Sequence, residues 1–187
     1  MVLKTSLERC MNNHKNQNIK IFVTGPSGAG KTTFIRSISQ SEVLTTDVPC
    51  TNGKGKKETT VAMDYGSLNL DRYAIHLFGS PGQDRFDFTW DILRQGALGV
   101  IMLVGGHDPE QLPLLKKMHD KFLTELTIPY ILGVTHQDLA EVWTPAEVAD
   151  YLEIDPFLCV GINALDENSA TDVLVRLFEI IEKEIEG

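Results

Sequence analysis

An α/β fold is what this sequence of 187 residues predicts: a six-stranded, mostly parallel sheet with one antiparallel edge strand and helices on both faces. Three observations lead there. Apolar, β-rich runs alternate along the chain with segments whose apolar residues recur at offsets of three and four. The runs ALGVIMLVG and YILGVT are apolar almost throughout, as strands covered on both faces must be. A glycine-rich turn separates the first strand from the first helix, at the strand end where such sheets place their ligands.

In chain order, residues 1–17 are polar and end in NNHKNQN, which reads as a short, weakly ordered extension. Residues 18–187 are the domain. IKIFVT is a strand and KTTFIRSIS a helix. Residues 41 to 58, with Gly53, Gly55 and the basic cluster Lys54, Lys56 and Lys57, read as a long solvated loop. TVAMDYGSLNL and YAIHLFG, separated by Asp71 and Arg72, form an antiparallel hairpin. On its strand, Asp64 is expected to face away from the turn that follows YAIHLFG, and His76 to be packed or hydrogen-bonded. After the strand ALGVIMLVG comes a helix with Leu115, Met118, Phe122 and Leu126 on one stripe. YILGVT is the next strand. Thr144-Pro145-Ala146-Glu147 is a capping box with proline at the first helical position. FLCVGIN is a strand, and the last helix turns Leu174, Leu177, Phe178, Ile181 and Ile185 inward.

A net charge of -9 excludes a partner held mainly by its phosphate backbone, so no nucleic acid is expected. Three cysteines with no C-x-x-C pair point to a reduced, cytoplasmic chain. No run approaches the ~20 apolar residues of a membrane span. Neither a signal-peptide pattern, a myristoylation start nor a prenylatable cysteine is present, so no direct membrane anchor is expected. No His/Cys cluster has metal-ligand spacing.

The strongest motif is GPSGAGKTT, Gly25 to Thr33, which fits G-x-x-x-x-G-K-[ST] between a strand and a helix. Its glycines let successive amides of Ser27, Gly28, Ala29, Gly30, Lys31, Thr32 and Thr33 turn toward one anion, and the helix N-terminus adds partial positive charge. Lys31 reaches the β- and γ-phosphates, and the Thr32 hydroxyl is a magnesium ligand. This loop does not choose the purine. After YILGVT, the carboxylate of Asp138 can accept two hydrogen bonds from the N1–H and 2-amino group of guanine, a pair adenine lacks. After FLCVGI, a backbone N–H of Asn163, Ala164 or Leu165 is placed to donate to the guanine 6-oxo group.

With these motifs in order, the chain resembles a Ras-like small GTPase, a P-loop G domain, over about residues 18–187. GPSGAGKT is similar to that family's phosphate loop, Thr60 to its first-switch threonine, and Gly82-Gln83 to its second-switch pair. THQD at 135–138 and NAL at 163–165 resemble its base-reading motifs. The wording TTVAMDYG and FGSPGQDRF is similar to the prokaryotic branch that includes the gliding-motility switch MglA and GTPases with roadblock-fold partners. The resemblance implies Mg2+ held by Thr32 and Thr60 and GTP or GDP as ligand. It implies base contacts from Thr135, His136 and Asp138, a γ-phosphate contact from Gly82, and a catalytic role for Gln83 alongside Lys31. It further implies a roadblock-fold regulator and slow unassisted hydrolysis of GTP to GDP.

Four departures stand out. Gly79 replaces the family's aspartate that holds a magnesium-bound water, which predicts looser metal retention and faster nucleotide release. Thr135 replaces an asparagine, so the link between base loop and phosphate loop is expected to be shorter or lost. His136 replaces a lysine whose stem covers the base, and Ser27 takes a position that is often glycine. Two other readings fit parts of the sequence. A P-loop nucleotide or small-molecule kinase would need an arginine-rich lid, which the second half does not show. A scaffold that binds nucleotide without hydrolysing it would treat Gly79 as a lost function.

Overall fold

The computed structural model describes residues 18–51, 58–70, 73–81, 95–125 and 128–186, with the backbone alone at 46–51, 58–62, 122–125 and 185–186. The strands are β1 (Asn18–Thr24), β2 (Leu44–Thr51), β3 (Glu58–Leu70), β4 (Tyr73–Gly79), β5 (Gly99–Gly105), β6 (Tyr130–Thr135) and β7 (Cys159–Gly161). The helices are α1 (Lys31–Ile38), α2 (Leu112–Glu125), α3 (Pro145–Leu152) and α4 (Glu167–Glu186). One sheet joins the strands in the order β2-β3-β4-β1-β5-β6-β7. From β4 to β7 the pairing is parallel, while β3 runs antiparallel to both β4 and β2.

The strand count corrects the six expected. The seventh strand is β2, inside the stretch read as a loop from 41 to 58. Its side-chain pattern is polar, and Pro49 argues against a central strand, but an edge position tolerates a proline that cannot donate. Residues 52–57, with the three lysines, lie outside the described residues. FLCVGIN is also shorter as a strand than expected. Pro156–Leu158 form a 3-10 turn because the Asp155 carboxylate accepts from the Phe157 amide at 2.9 Å. The 1–17 extension is likewise outside the described residues.

Two apolar layers hold the sheet. On one face, Ile19, Ile21 and Val23 of β1 join Ile75 and Leu77 of β4 and Ile101 and Leu103 of β5. They pack beneath Phe34 and Ile35 of α1 and Leu174, Leu177, Phe178 and Ile181 of α4. On the other face, Phe22, Val100, Met102 and Leu132 pack beneath Leu115 and Met118 of α2 and Val148 and Leu152 of α3. The odd and even residues of β1 thus enter opposite cores, as a period of two requires. All of β5 is buried because it is covered on both sides. At the hairpin, Leu70 pairs with Tyr73 and Asp64 with Gly79. His76 is hydrogen-bonded, its Nδ1 2.8 Å from the Tyr65 hydroxyl. Among the described residues, no helix is long and apolar enough to cross a membrane.

Candidate functional site

The carboxyl ends of β1, β4, β6 and β7 lead into one groove. β1 runs into the glycine-rich turn, which leaves the sheet tightly against β5. At Gly25 φ is 141°, and a Cβ there would lie 2.0 Å from the Leu103 carbonyl oxygen, so any side chain would collide with backbone. The turn feeds α1 through Gly30, whose φ of 88° suits glycine. Lys31 folds back so that its ammonium donates to the carbonyls of Gly25 and Pro26 at 2.9 and 2.7 Å. Burial lowers its pKa to about 8, against the opposing pull of the Asp64 carboxylate.

Asp64 corrects the expectation that it faces away. The Thr32 hydroxyl donates to its Oδ2 at 2.5 Å, and the Thr45 hydroxyl of β2 donates to its Oδ1 at 3.1 Å. On β3, the residues turned to α1 are Asp64, Gly66 and Leu68, since a Cβ at Gly66 would meet Ile35 and Ser39 and Leu68 packs in the α1 core. Only the later members of that row are apolar or small, because the row passes from the core to the end of the sheet where the phosphate loop lies. A cavity of about 490 Å³ opens there, lined by Ser27, Gly28, Gly30, Lys31, Thr32, Thr33, Thr45, Asp64, Ser80, Pro81 and His136.

At the far end, Thr135 is fully buried, with its hydroxyl 3.1 Å from the carbonyls of Ala29 and Val104. The link between base loop and phosphate loop, expected to be shorter or lost, is therefore made directly through the Ala29 carbonyl. Ala29 contributes by that carbonyl, being itself buried. His136 takes a left-handed backbone, with φ at 63°. Its Nδ1 lies 2.9 Å from the Thr135 hydroxyl, and its ring is 4.0 Å from that of His107. Burial and the neighbouring His107 push the His136 pKa below its usual value, with Asp138 pulling the other way. The His136 imidazole thus stands as a wall shared by both ends of the site.

His136, Asp138, Thr33, Thr135, Asn163, Ala164 and Leu165 line a second cavity of about 160 Å³. In its floor the Leu165 amide donates to Asn163 Oδ1 and the Asn163 amide to the Ser169 hydroxyl, both at 3.0 Å. These bonds hold the turn so that Leu165 is 80% exposed while Ala164 is buried. Gly30, Thr33 and His136 line both cavities, so the two adjoin.

The fold therefore brings Ser27, Gly28, Gly30, Lys31, Thr32 and Thr33 together at one end, and Thr135, His136, Asp138, Asn163, Ala164 and Leu165 at the other. Thr60 lies on β3 opposite Pro49, with its side chain outside the described residues. Gly82 and Gln83 are outside them as well. Thr45, Ser80 and Pro81 were not singled out in the sequence, and Asp64 was set aside as facing away. A signal for Asp64 existed, since pairing outward from Leu70 and Tyr73 brings Asp64 opposite Gly79. Among the described residues, no group of three or more His, Cys, Asp or Glu could hold a metal ion.

A family model described as conserved hypothetical ATP binding protein matches residues 41–183. The chain is 32% identical over 134 residues to Uncharacterized protein MJ1339 of Methanocaldococcus jannaschii, covering 70% of this chain and 77% of that protein. It is 24% identical over 156 residues to human ADP-ribosylation factor-like protein 5A, covering 82% of this chain and 79% of that one. Among solved structures, the Arl6 BBS3 small GTPase from Trypanosoma brucei, with bound nucleotide analogue GppNp, superposes with a TM-score of 0.69 at 20% identity. That match covers 89% of this chain and 98% of the other. The chain belongs to the family of conserved hypothetical ATP binding proteins, and its fold is the Ras-like, Arf-like fold of small GTPases.

Proposed function

We propose that this chain is a guanine-nucleotide switch that binds GTP or GDP with Mg2+ and slowly hydrolyses GTP to GDP and phosphate. One observation carries the reading: a phosphate cavity lined by Lys31 and Thr32 shares the wall of Gly30, Thr33 and His136 with a smaller cavity lined by Asp138. The Thr135 hydroxyl ties the two loops together through the Ala29 carbonyl. A polyanion fits the first, where amides, a helix start and an ammonium converge. A purine fits the second, with the His136 ring as a wall and Asp138 as acceptor. The Arf-like names and the nucleotide analogue bound to the Trypanosoma protein support the same reading.

The donors present suit magnesium. Thr32 and Asp64 offer hard oxygens within 2.5 Å of each other in the phosphate cavity. Thr32, with Thr60 in the triphosphate state, would hold the ion directly. When bound, magnesium neutralises charge developing on the phosphate oxygens. Gly82 and Gln83 keep the roles implied by the family resemblance, a γ-phosphate contact and the positioning of the attacking water. The resemblance of TTVAMDYG and FGSPGQDRF supports a roadblock-fold regulator, and cysteine usage supports the cytoplasm.

The family description names ATP, so base choice is the deciding experiment. Fluorescent GTP, GDP and ATP analogues are titrated into wild type and Asp138→Ala, and phosphate release is timed. Wild type is expected to prefer guanine over adenine, because only guanine offers the Asp138 carboxylate two donors at once. Asp138→Ala removes the preference. Equal binding of ATP by wild type refutes the guanine assignment, and binding without turnover leaves the scaffold reading.

A further inference from the structure

We infer that Asp64 holds the magnesium-bound water from β3, in place of the acid missing at Gly79 on β4, and couples that water to the edge strand β2 through Thr45. This inference rests on the nucleotide reading above and adds a residue to its metal site.

The two positions share one place in the molecule. Asp64 and Gly79 are register partners on antiparallel strands, and partners in such a ladder project to the same face. That face is the one covered by α1. A Cβ at Gly79 would lie 2.8 Å from Ile35 Cδ1 and 3.2 Å from the Cβ of Asp64. A carboxylate entering from residue 79 would compete for the space that the Asp64 side chain occupies. One acid fits there, and this chain supplies it from the neighbouring strand.

The contacts of Asp64 are those an outer-sphere acid needs. Its Oδ2 accepts the hydrogen bond of the Thr32 hydroxyl, so the Thr32 oxygen keeps its lone pairs for a cation. A partner of this kind fixes the orientation of a ligating group and raises its basicity. The carboxylate also lines the phosphate cavity with Lys31 and Ser80, one hydrogen bond from where Thr32 would ligate. Its Oδ1 is held by Thr45, so a shift of β2 would change the orientation of the carboxylate. The loose metal retention expected from Gly79 then does not follow, because the acid is relocated rather than lost.

The experiment measures release of fluorescent GDP from the full chain in excess magnesium and in excess chelator, and reads the ratio of the two rates. Wild type is expected to release slowly in magnesium and much faster in chelator. In Asp64→Asn, which keeps the shape and loses the charge, the ratio should shrink about 10–100-fold. The double variant Asp64→Gly with Gly79→Asp, which moves the acid across the strand pair, should recover most of it. An Asp64→Asn ratio equal to wild type overturns the proposal. So does a folded double variant whose ratio stays as low as that of Asp64→Asn. If wild type retains no GDP in magnesium, it is the nucleotide reading that fails, so the two failures are distinct. Should the double variant not fold, Asp64→Asn decides the matter.

Discussion

Lys31 is 8% exposed, and its ammonium rests on two loop carbonyls. Burial brings its pKa down to about 8, so near that pH the ligand-free protein starts to lose this charge. A bound polyphosphate favours the ammonium and raises the pKa of the complex above that of the free protein. Between those two values binding takes up a proton, so Kd for GDP should rise with pH by up to about tenfold per unit above pH 8. Stability of the ligand-free protein should move the other way. The unfolded lysine keeps its proton up to its ordinary 10.5, whereas the folded one loses it near 8, so this group's contribution grows from pH 8 to 10.5. Calorimetric titration and urea melts across that range check both slopes, with Lys31→Met as the variant that should flatten them. The lysine was legible in the sequence because the loop that uses it is contiguous. Asp64 was not, because its partners Thr32 and Thr45 lie 32 and 19 residues away.

The helix α3 begins as its letters require. Thr144 Oγ1 accepts from the Glu147 amide at 3.3 Å, and Glu147 Oε2 accepts from the Thr144 amide at 2.8 Å. The Thr144 amide, and after it the Thr144 hydroxyl at 2.8 Å, donate to the Glu147 carboxylate and hold its carboxyl below its usual pKa. Thr144→Ala should cost about 1 kcal/mol by urea unfolding, leaving GDP affinity unchanged. Such a cap is readable because its partners are three residues apart. The hairpin of β3 and β4 was readable for a similar reason, with two residues between its strands. The edge strand β2 was not. LTTDVPCT has neither a clean alternation nor a buried run, and its strand state comes from the ladder that β3 offers. The start of FLCVGIN shows the reverse case, where a local carboxylate cap outcompetes a strand-like composition.

Both apolar layers depend on helices that close over the sheet, and α4 supplies much of one of them. Phe178 is fully buried there among residues of β1, β5 and α1. Phe178→Ala should destabilise the fold by about 3–5 kcal/mol, read from the urea midpoint at an unchanged slope. The alternation of strand and helix, the phosphate loop, the helix cap and the acid at 138 could all be read from the order of residues, because each depends on a local period or a short contiguous turn. The seventh strand, the direct Thr135 link and the acid at 64 beside the phosphate loop came only with the folded sheet. Which helix covers a strand face, and which distant loop a strand residue meets there, are set by contacts between remote segments, and no local pattern encodes those contacts.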